Sequence, residues 1–500
     1  MNSLVEKVII LGGGSAGLMA ALALKTKLPA LAVRVIRSPE LGIIGVGEGS
    51  TAALTDFLHN YVRVQSRSFH EVAQPTWKLG LKFVHWGPRE SFNYTFGPGL
   101  EVRSVPEQAK PNGFYCDETM EYTDPYSAMM THDKVFPRVN GRMSPHQYFA
   151  YHFENEKYVA FLESAVRQLG VEIVDGTVAD IRRDDRGISE LRLASNASDS
   201  ADLYVDCSGF AAVLLGRTLQ EPFVSFSKSL FCERAVVGGW DREGEEDQII
   251  RPYTTCETMS AGWSWQIEHE HRIHRGYVYS PAFISDEDAE RELRARNPKI
   301  GPTRIVKFVS GRYEDAWRSN VIAIGNASGF VEPLEATALG MIAQQSRLLA
   351  DSLVESDRQP RTSQVTMFNR FHRLGWDAIR RFLALHYKFN TRLDTPFWRH
   401  CRESTDLAGG EEIADYYMEN GPSGFWGPTL LNNPHDQFAF SGYATLLTGM
   451  KVPYRKTWQA PAGDAAVFEQ RRNLYKQMAE QAFGVREALA AIRSPQWRWS

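Results

Sequence analysis

The sequence predicts an α/β (α+β) fold: a Rossmann-type nucleotide-binding domain with an inserted β-sheet, followed by a mainly helical C-terminal region. The first indication is KVIILGGGSAGLMAALAL at residues 7–24, where a short apolar run, a glycine-rich turn and a helical apolar pattern follow one another. The second is a strand-rich block from about residue 225 to 312, and the third is helical patterning beyond about residue 342. We therefore divide the chain into residues 1–342, with the nucleotide site and the inserted sheet, and residues 343–500.

Gly12-x-Gly14-x-x-Gly17 directly follows the first strand, and each of its glycines has a separate physical role. Gly12 permits a tight turn, Gly14 lets a diphosphate approach the backbone, and Gly17 lets the helix pack closely on the strand. Ser15 and Ala16 lie at the start of the helix, where backbone N–H groups face the negative charge. This strand–turn–helix context favours a dinucleotide site over a simple glycine turn.

The second strand of this domain, LAVRVI at residues 31–36, ends at Arg37 and Ser38. An acidic residue at this place would bind a ribose hydroxyl, and Arg37 departs from that pattern. The departure leaves two interpretations: a 2′-phosphate on the ligand, or an FAD whose ribose is held in another way. Val46, in the loop GIIGVGEGST, and Val178, in an alternating region at 171–209, are further candidate cofactor-binding residues.

The composition is that of an ordinary globular protein, with 43% hydrophobic residues, 23% charged residues and a formal net charge of −4. This balance gives no basis for a nucleic-acid or membrane partner. Five cysteines without a C-x-x-C motif indicate a reduced, cytoplasmic protein, and neither an export signal nor a membrane-spanning stretch is predicted. His269 and His271 form an H-x-H pair on a predicted strand, but no second cluster has metal-ligand spacing, so no metal site is predicted.

Four separated motifs together resemble the flavin-dependent halogenases, the family that includes the tryptophan halogenases. They are the fingerprint at Gly12, PTWKLGLKFVHW at 75–86, WSWQI at 263–267 and IGNASGFVEPLEATALG at 324–340. The resemblance implies FAD, as FADH2 from a separate flavin reductase, which together with O2 and chloride or bromide makes hypohalous acid. An electron-rich aromatic substrate of the indole or phenol type would then be halogenated in a pocket that residues 343–500 complete. A homodimer is compatible with this resemblance.

The resemblance places the chemistry on Lys78 and Glu335. Lys78 in PTWKLG would bind hypohalous acid or carry the halogen as a haloamine, and Lys82 is its competitor. Glu335 in EPLEAT would polarise the halogenating species or take the ring proton, and Glu332 is the alternative. On the residues alone, Lys78 could be a solvated lysine and either glutamate a helix N-terminal residue favoured by the macrodipole.

Thr337 and Ala338 match the residues that place the halide beside the flavin, and backbone N–H groups at a helix start suit an anion. The family usually has glycine where Ala338 stands, which would change halide access or preference while backbone donation survives. Gly325 and Leu339 would lie on the flavin, and Glu48 in GVGEGST matches the strap that joins the flavin and substrate regions.

On the substrate side, Tyr94 and Phe96 in FNYTFG stand where the tryptophan halogenases carry a substrate-contacting His and Phe. Trp263 and Trp265 match the family's W-x-W-x-I-P motif, whose usual proline is Glu268 here. FSGYATLLTGM at 440–450 has no clear match to the tyrosine and glutamate group that holds a free amino acid. We therefore expect an indole, a phenol or a larger or carrier-bound aromatic rather than free tryptophan.

Two other functions stay open at this level. One is an aromatic monooxygenase of similar fold, which the lysine and W-x-W motifs disfavour. The other is a flavin-binding protein without halogenating turnover, which Ala338 and the altered end of the W-x-W-x-I motif keep in consideration.

Overall fold

The structure is a computed structural model that describes residues 4–40, 42, 47–97, 119–145, 148–244, 247–423, 426–431, 433–457, 459 and 462–499. Strands prevail in the first two thirds of the chain and helices in the last third. The strands are, in chain order, β1 (Lys7–Leu11), β2 (Ala32–Arg37), β3 (Glu48–Gly49), β4 (Thr76–Lys78), β5 (Gly80–Val84), β6 (Ser91–Thr95), β7 (Lys134–Phe136), β8 (Arg138–Val139), β9 (Arg142–Met143), β10 (Ala150–Phe153), β11 (Glu172–Asp175), β12 (Val178–Asp184), β13 (Gly187–Leu193), β14 (Ser198–Asp199), β15 (Leu203–Asp206), β16 (Phe223–Ser225), β17 (Arg234–Asp241), β18 (Tyr253–Met259), β19 (Gly262–Glu268), β20 (Arg272–Tyr279), β21 (Arg304–Lys307), β22 (Gly311–Tyr313), β23 (Trp317–Arg318), β24 (Val321–Ala323), β25 (Gly329–Phe330) and β26 (Phe483–Gly484).

The α-helices are, in chain order, α1 (Ser15–Lys27), α2 (Ala52–Asp56), α3 (Ser66–Val72), α4 (Pro125–Thr131), α5 (Asn155–Gln168), α6 (Asp286–Arg296), α7 (Ala338–Glu355), α8 (Thr362–Phe389), α9 (Pro396–Ser404), α10 (Glu411–Asn420), α11 (Gly427–Leu430), α12 (Ala439–Gly449), α13 (Ala462–Glu480) and α14 (Val485–Arg493). The α/β fold class and the helical character of the C-terminal region are confirmed. Among the described helices, none combines the length and the apolar character that crossing a bilayer requires.

The chain folds into two compact units, each built from three separated segments. The first unit comprises Met1–Gln74, Phe153–Phe226 and Phe308–Trp376, and the second comprises Pro75–His152, Ser227–Lys307 and Asp377–Ser500. The division that the sequence suggested, between residues 342 and 343, falls inside α7, which belongs to the first unit.

A six-stranded sheet in the order β11-β2-β1-β15-β24-β23 forms the centre of the first unit. The strands from β11 to β24 run parallel, and β23 runs antiparallel to β24. β1 lies in the middle and is buried apart from Lys7, as a central parallel strand requires. The carboxyl ends of the parallel strands share one edge, so Gly12, Arg37, Cys207 and Gly325 come at or just beyond the strand ends on that edge.

A seven-stranded sheet in the order β21-β17-β20-β19-β18-β5-β6 forms the centre of the second unit. Its neighbouring strands are antiparallel except for β18 and β5, which run parallel. β19, which carries the W-x-W motif, lies in the middle of this sheet. β4 leads through Leu79 into β5 and pairs in antiparallel fashion with β10.

The strand that carries the W-x-W motif ends earlier than its alternating sequence predicts. β19 stops at Glu268, β20 begins at Arg272, and the His269 backbone N–H donates to the Arg272 carbonyl oxygen at 3.0 Å. The buried His269 ring meets the ring of His274 edge to face at 5.0 Å, whereas His271 is exposed. The two histidines therefore lie in a hairpin turn and not on one strand face. Within the described ranges no group of three or more His, Cys, Asp or Glu side chains is arranged to hold a metal ion.

Candidate functional site

The three glycines of the fingerprint differ in the room that surrounds them. A Cβ atom on Gly12 would lie 2.2 Å from the Cys207 carbonyl oxygen, and one on Gly17 would lie 1.9 Å from the Gly12 carbonyl oxygen. A Cβ atom on Gly14 would meet no heavy atom within 4 Å. Gly12 and Gly17 therefore serve the close packing of strand, turn and helix, while Gly14 leaves an open stretch of backbone that a diphosphate can approach.

The N-terminus of α1 is suited to hold that diphosphate. The helix begins at Ser15, its N-cap residue is Gly14, and no side chain caps it. The first N–H groups of a helix have no intrahelical acceptor, and the macrodipole adds positive potential at this end. The Ser15 hydroxyl donates to Asn155 Oδ1 at 3.0 Å, which ties the start of α1 to the start of α5. The open backbone at Gly14 and the uncapped helix start fit the diphosphate of FAD.

The Arg37 guanidinium is held by two carboxylates. Its Nε donates to Asp175 Oδ1 at 2.6 Å and its Nη1 donates to Glu163 Oε2 at 2.7 Å. The hydrogen bond to Asp175 contributes most to raising the pKa of Arg37 above its usual value, and the Glu163 carboxylate adds to it. Because both neighbours are acidic, they offset the charge that a 2′-phosphate would need, which favours FAD over a 2′-phosphorylated ligand.

Ser38 and Val178 lie beside the end of β2. Ser38 Oγ is 2.9 Å from Thr177 Oγ1, and Val178 is half-buried against the apolar core of the first unit. Gly325 follows β24 at the same sheet edge with a φ of 68°. A Cβ atom there would lie 3.0 Å from the Cβ of Ala16, so this position also borders the fingerprint.

The predicted halide residues form the turn that leads into α7. Thr337 is the N-cap residue, its side chain does not cap the helix, and its carbonyl oxygen accepts the Met341 N–H at 2.9 Å. Ala338 opens the helix and Leu339 is buried. The backbone N–H groups of this first turn lack intrahelical acceptors, as an anion site requires. The preceding Ala336 has a φ of 54°, in the left-handed region that disfavours side chains.

Glu335 lies in this turn with only 1% of its surface exposed, and Glu332 is fully buried. Burial therefore does not distinguish the predicted carboxylate from its alternative. Glu48, the predicted strap residue, forms β3 with Gly49, and burial raises the pKa of its carboxyl group to about 7. Val46 lies outside the described residues.

Lys78 is fully buried at the end of β4, in the second unit. Its Nζ lies 5.0 Å from the centre of the Phe96 ring, within the range of a cation–π contact. Its competitor Lys82 is only half-buried on β5, with Nζ 5.6 Å from the Tyr253 ring centre. The second unit thus brings two predicted site residues together, Lys78 and Phe96. Lys78 is shielded from water there, as its predicted role in binding hypohalous acid requires.

His152 is a neighbour of Lys78 that the sequence did not reveal. The register pairs Lys78 with Ala150 and Thr76 with His152, so Lys78 and His152 are diagonal neighbours on one face of the β4–β10 pair. His152 is fully buried, and its Nε2 lies 2.8 Å from Thr254 Oγ1. Burial, followed by the Lys78 charge, lowers the pKa of His152 well below its usual value, so the ring is neutral.

Trp263 and Trp265 are buried in β19, with ring centres 6.1 Å apart. Tyr94 is also buried, in β6, with its ring 5.9 Å from that of Phe382. Of the two residues predicted to contact substrate, Phe96 is therefore the one beside Lys78, and Tyr94 is engaged in packing.

Comparisons with known proteins show which family this chain is similar to. Residues 7–464 match the sequence model of the tryptophan halogenase family. The chain is 31% identical to the tryptophan 6-halogenase ThaL of Streptomyces albogriseolus over 81% of this chain and 80% of that protein. It is 28% identical to the tryptophan 7-halogenase RebH of Lentzea aerocolonigenes over 90% of both. The crystal structure of MibH, a lanthipeptide tryptophan 5-halogenase, superimposes with a TM-score of 0.87 and 36% identity, covering 98% of this chain and 93% of that one.

Proposed function

We propose, from the premise that this chain belongs to the tryptophan halogenase family, that it halogenates an indole ring carried by a peptide. The chain is a flavin-dependent halogenase, which uses FADH2, O2 and a halide ion and works with a separate flavin reductase. The monooxygenase and the flavin-binding protein without turnover are therefore set aside. The remaining question is which aromatic compound enters the site.

The observation that carries the peptide proposal is the position of Tyr443 in FSGYATLLTGM. Tyr443 is fully buried, its hydroxyl donates to Asp436 Oδ2 at 2.8 Å, and Arg381 Nε donates to the same hydroxyl at 3.1 Å. Arg381 in turn forms an ion pair with Asp436 at 2.6 Å. The tyrosine of this segment is thus committed to an internal network and does not offer its hydroxyl to the carboxylate or amine of a free amino acid.

The relatives point the same way. The aligned part of the chain, 98% of its length, is 36% identical to MibH, a lanthipeptide tryptophan 5-halogenase. The chain is 31% and 28% identical to the tryptophan halogenases ThaL and RebH over 81% and 90% of its length. In a peptide the amine and carboxylate of tryptophan are amides, so no clamp for charged groups is required.

Each predicted site residue has a separate role in the proposed reaction. The fingerprint Gly12–Gly17 holds the diphosphate of FAD, and the N–H groups at Thr337 and Ala338 hold the halide. Reduced FAD, when bound, would supply one electron pair to O2 and the halide would supply the other, so that O2 yields hypohalous acid and water. Lys78 would hold the hypohalous acid, and as the indole carbon bonds to the halogen the O–halogen bond breaks and hydroxide leaves. The ring proton, taken by Glu335, ends on that hydroxide, so that halogenated indole and water result.

The test is a substrate comparison with purified protein, FAD, a flavin reductase, NADH, O2 and bromide, read by mass spectrometry. Free tryptophan, N-acetyltryptophan amide and a set of tryptophan-containing peptides are offered at equal concentration. Bromination of peptides or of the capped amino acid, with free tryptophan at least about tenfold slower, agrees with the proposal. Equal or faster bromination of free tryptophan would contradict it.

Two further expectations accompany the proposal. A cytoplasmic location is supported by cysteines that form no disulfide in the described residues, and cell fractionation tests it. A homodimer is tested by light scattering of the purified protein.

A further inference from the structure

The carboxylate of Glu268 is the centre of a buried network at the end of β19. Its side chain is 1% exposed, and it forms an ion pair with Arg242, whose side chain is 2% exposed. Its other oxygen, Oε1, accepts from Gln266 Nε2 at 2.7 Å and from Arg251 Nη1 at 3.2 Å. Taking these charges out of water carries a desolvation penalty, so a network of this kind is weak support for stability alone.

Arg242 fixes the surrounding backbone as well as the carboxylate. Its Nε donates to the His269 carbonyl oxygen at 2.7 Å, and its Nη1 donates to the carbonyl oxygens of Asp247 at 2.8 Å and Ile249 at 3.0 Å. The backbone at Glu268 and His269 is therefore held from both sides, by the β19–β20 ladder and by one guanidinium.

The backbone carbonyl of Glu268 is used by the strand that carries Lys78. Thr76 Oγ1 donates to it at 2.5 Å, and both atoms are buried. Thr76 and Lys78 are the first and last residues of the three-residue strand β4 and point to the same face. His152 pairs with Thr76 across the β4–β10 register, and its contact with Thr254 ties β10 to β18.

We propose that Glu268 is a positioning residue for Lys78, acting through its own carbonyl oxygen and Thr76. The carboxylate network fixes the Glu268 backbone, the carbonyl oxygen fixes Thr76, and β4 carries Lys78 two residues further on. A proline at position 268 could supply the carbonyl oxygen but none of the side-chain contacts that Glu268 makes with Arg242, Arg251 and Gln266. The inference rests on the proposed role of Lys78 in halogen transfer.

Thr76→Val is the most direct test. It replaces the hydroxyl group by a methyl group of nearly equal volume and leaves the carboxylate network intact. Thr405→Val is its matched control, since that hydroxyl also donates to a buried carbonyl oxygen, that of Cys401, at 2.6 Å. Glu268→Gln tests the carboxylate, and Glu221→Gln is its control. Glu221 is a buried glutamate whose carboxylate pairs with Arg318 and accepts the Asp315 backbone N–H in the first unit.

Two quantities separate positioning from general stability. The first is the change in kcat relative to the change in KM for a tryptophan peptide, measured together with the Kd for FAD. The second is the rate at which trinitrobenzenesulfonate labels Lys78 in the folded protein, read by peptide mass spectrometry. We expect Thr76→Val and Glu268→Gln to lower kcat about tenfold with KM and Kd unchanged, and to raise the labelling rate about threefold or more.

The controls Thr405→Val and Glu221→Gln are expected to lower Tm by a similar amount while kcat and Lys78 labelling stay near those of the unmodified protein. If Thr76→Val and Glu268→Gln change Lys78 labelling and kcat no more than these controls do, Glu268 is structural and the proposal is overturned. Lys78→Ala separates the two ideas. If Lys78 labelling responds to Glu268 while Lys78→Ala still halogenates, the positioning holds and the proposed role of Lys78 fails.

Discussion

The indole ring of Trp265 lies against the backbone of Gly276. A Cβ atom on Gly276 would come within 2.2 Å of ring carbons Cη2 and Cζ2, closer than any real contact. The two residues face each other in the β19–β20 register, so the ring covers its cross-strand partner. The position of the second tryptophan in the W-x-W motif therefore depends on the absence of a side chain on the next strand.

Gly276→Ala is expected to displace the Trp265 ring and to lower the free energy of unfolding by about 2 kcal/mol, because its methyl group would overlap the buried ring. Urea unfolding measures it. Adding Trp265→Phe should recover part of the loss, since a smaller ring leaves space for the methyl group. Gly463→Ala is the control, as a Cβ atom there meets nothing within 4 Å. Equal stability of Gly276→Ala and the unmodified protein would show that the ring can shift freely.

Two glycines of the fingerprint should respond to alanine in opposite ways. Gly14→Ala keeps an allowed backbone, with φ of −82°, and its methyl group points into open space, so Tm should stay unchanged. The Kd for FAD should rise at least about tenfold, because the methyl group takes the place of the approaching diphosphate. Gly17→Ala should instead lower the free energy of unfolding by about 2–3 kcal/mol, since its methyl group would collide with the Gly12 carbonyl oxygen. Flavin fluorescence and thermal unfolding measure the two effects, and a Gly14→Ala protein that binds FAD normally would remove Gly14 from the site.

Glu48 gives the protein a predictable dependence on pH. Burial raises the pKa of its carboxyl group from 4.5 to about 7, so the folded state binds this proton more tightly than the unfolded chain does. The resulting contribution to stability is fully present below pH 4.5, falls as the pH rises toward 7, and stays lost above that. Relative to Glu48→Gln, the unmodified protein should lose about 2 kcal/mol of unfolding free energy between pH 5 and pH 8. Denaturant titrations of both proteins at the two pH values test this. An equal change in unfolding free energy between pH 5 and pH 8 in both proteins would mean that Glu48 ionises normally.

Lys78→Met and Lys82→Met should separate the two lysines of PTWKLGLK. Lys78→Met should abolish halogenated product while NADH-driven oxidation of flavin continues, because Lys78 is the fully buried lysine. The variant should still fold, since methionine fills the same buried space with a side chain of similar length. Lys82→Met, which alters a half-buried lysine, should retain most of the activity. Loss of product in Lys82→Met with normal turnover in Lys78→Met would reverse the assignment.

Elements that are fixed by neighbouring residues can be predicted from the sequence. The fingerprint at Gly12 requires a strand, a turn and a helix within about twenty residues, so its structure could be predicted from the order of residue types alone. The beginning of the W-x-W strand was predicted for the same reason. Its end was not, because the hairpin at His269 is set by the pairing with β20 and by Arg242, not by the alternation of the strand itself.

Long-range neighbours could not be predicted in this way. His152 is 74 residues from Lys78 and meets it only through the register of β4 and β10, which no local pattern encodes. Likewise, Glu268 is recognisable in the sequence as a departure from the family motif. Its partner Arg242 directly follows β17, in a segment without a recognisable motif, so the ion pair could not be predicted.

The interleaving of the two units has a consequence for biosynthesis. In the first unit, β24 takes its place between β15 and β23, although β1, β2 and β15 emerge from the ribosome more than a hundred residues earlier. One edge of β15 therefore stays unpaired while the intervening segment of the second unit is translated. A gene fragment that stops at residue 342 would cut α7 short and leave this unit without its closing helix. Until residue 323 has been synthesised, the free edge of β15 is open to pairing with other chains, so slow or interrupted translation is expected to favour aggregation.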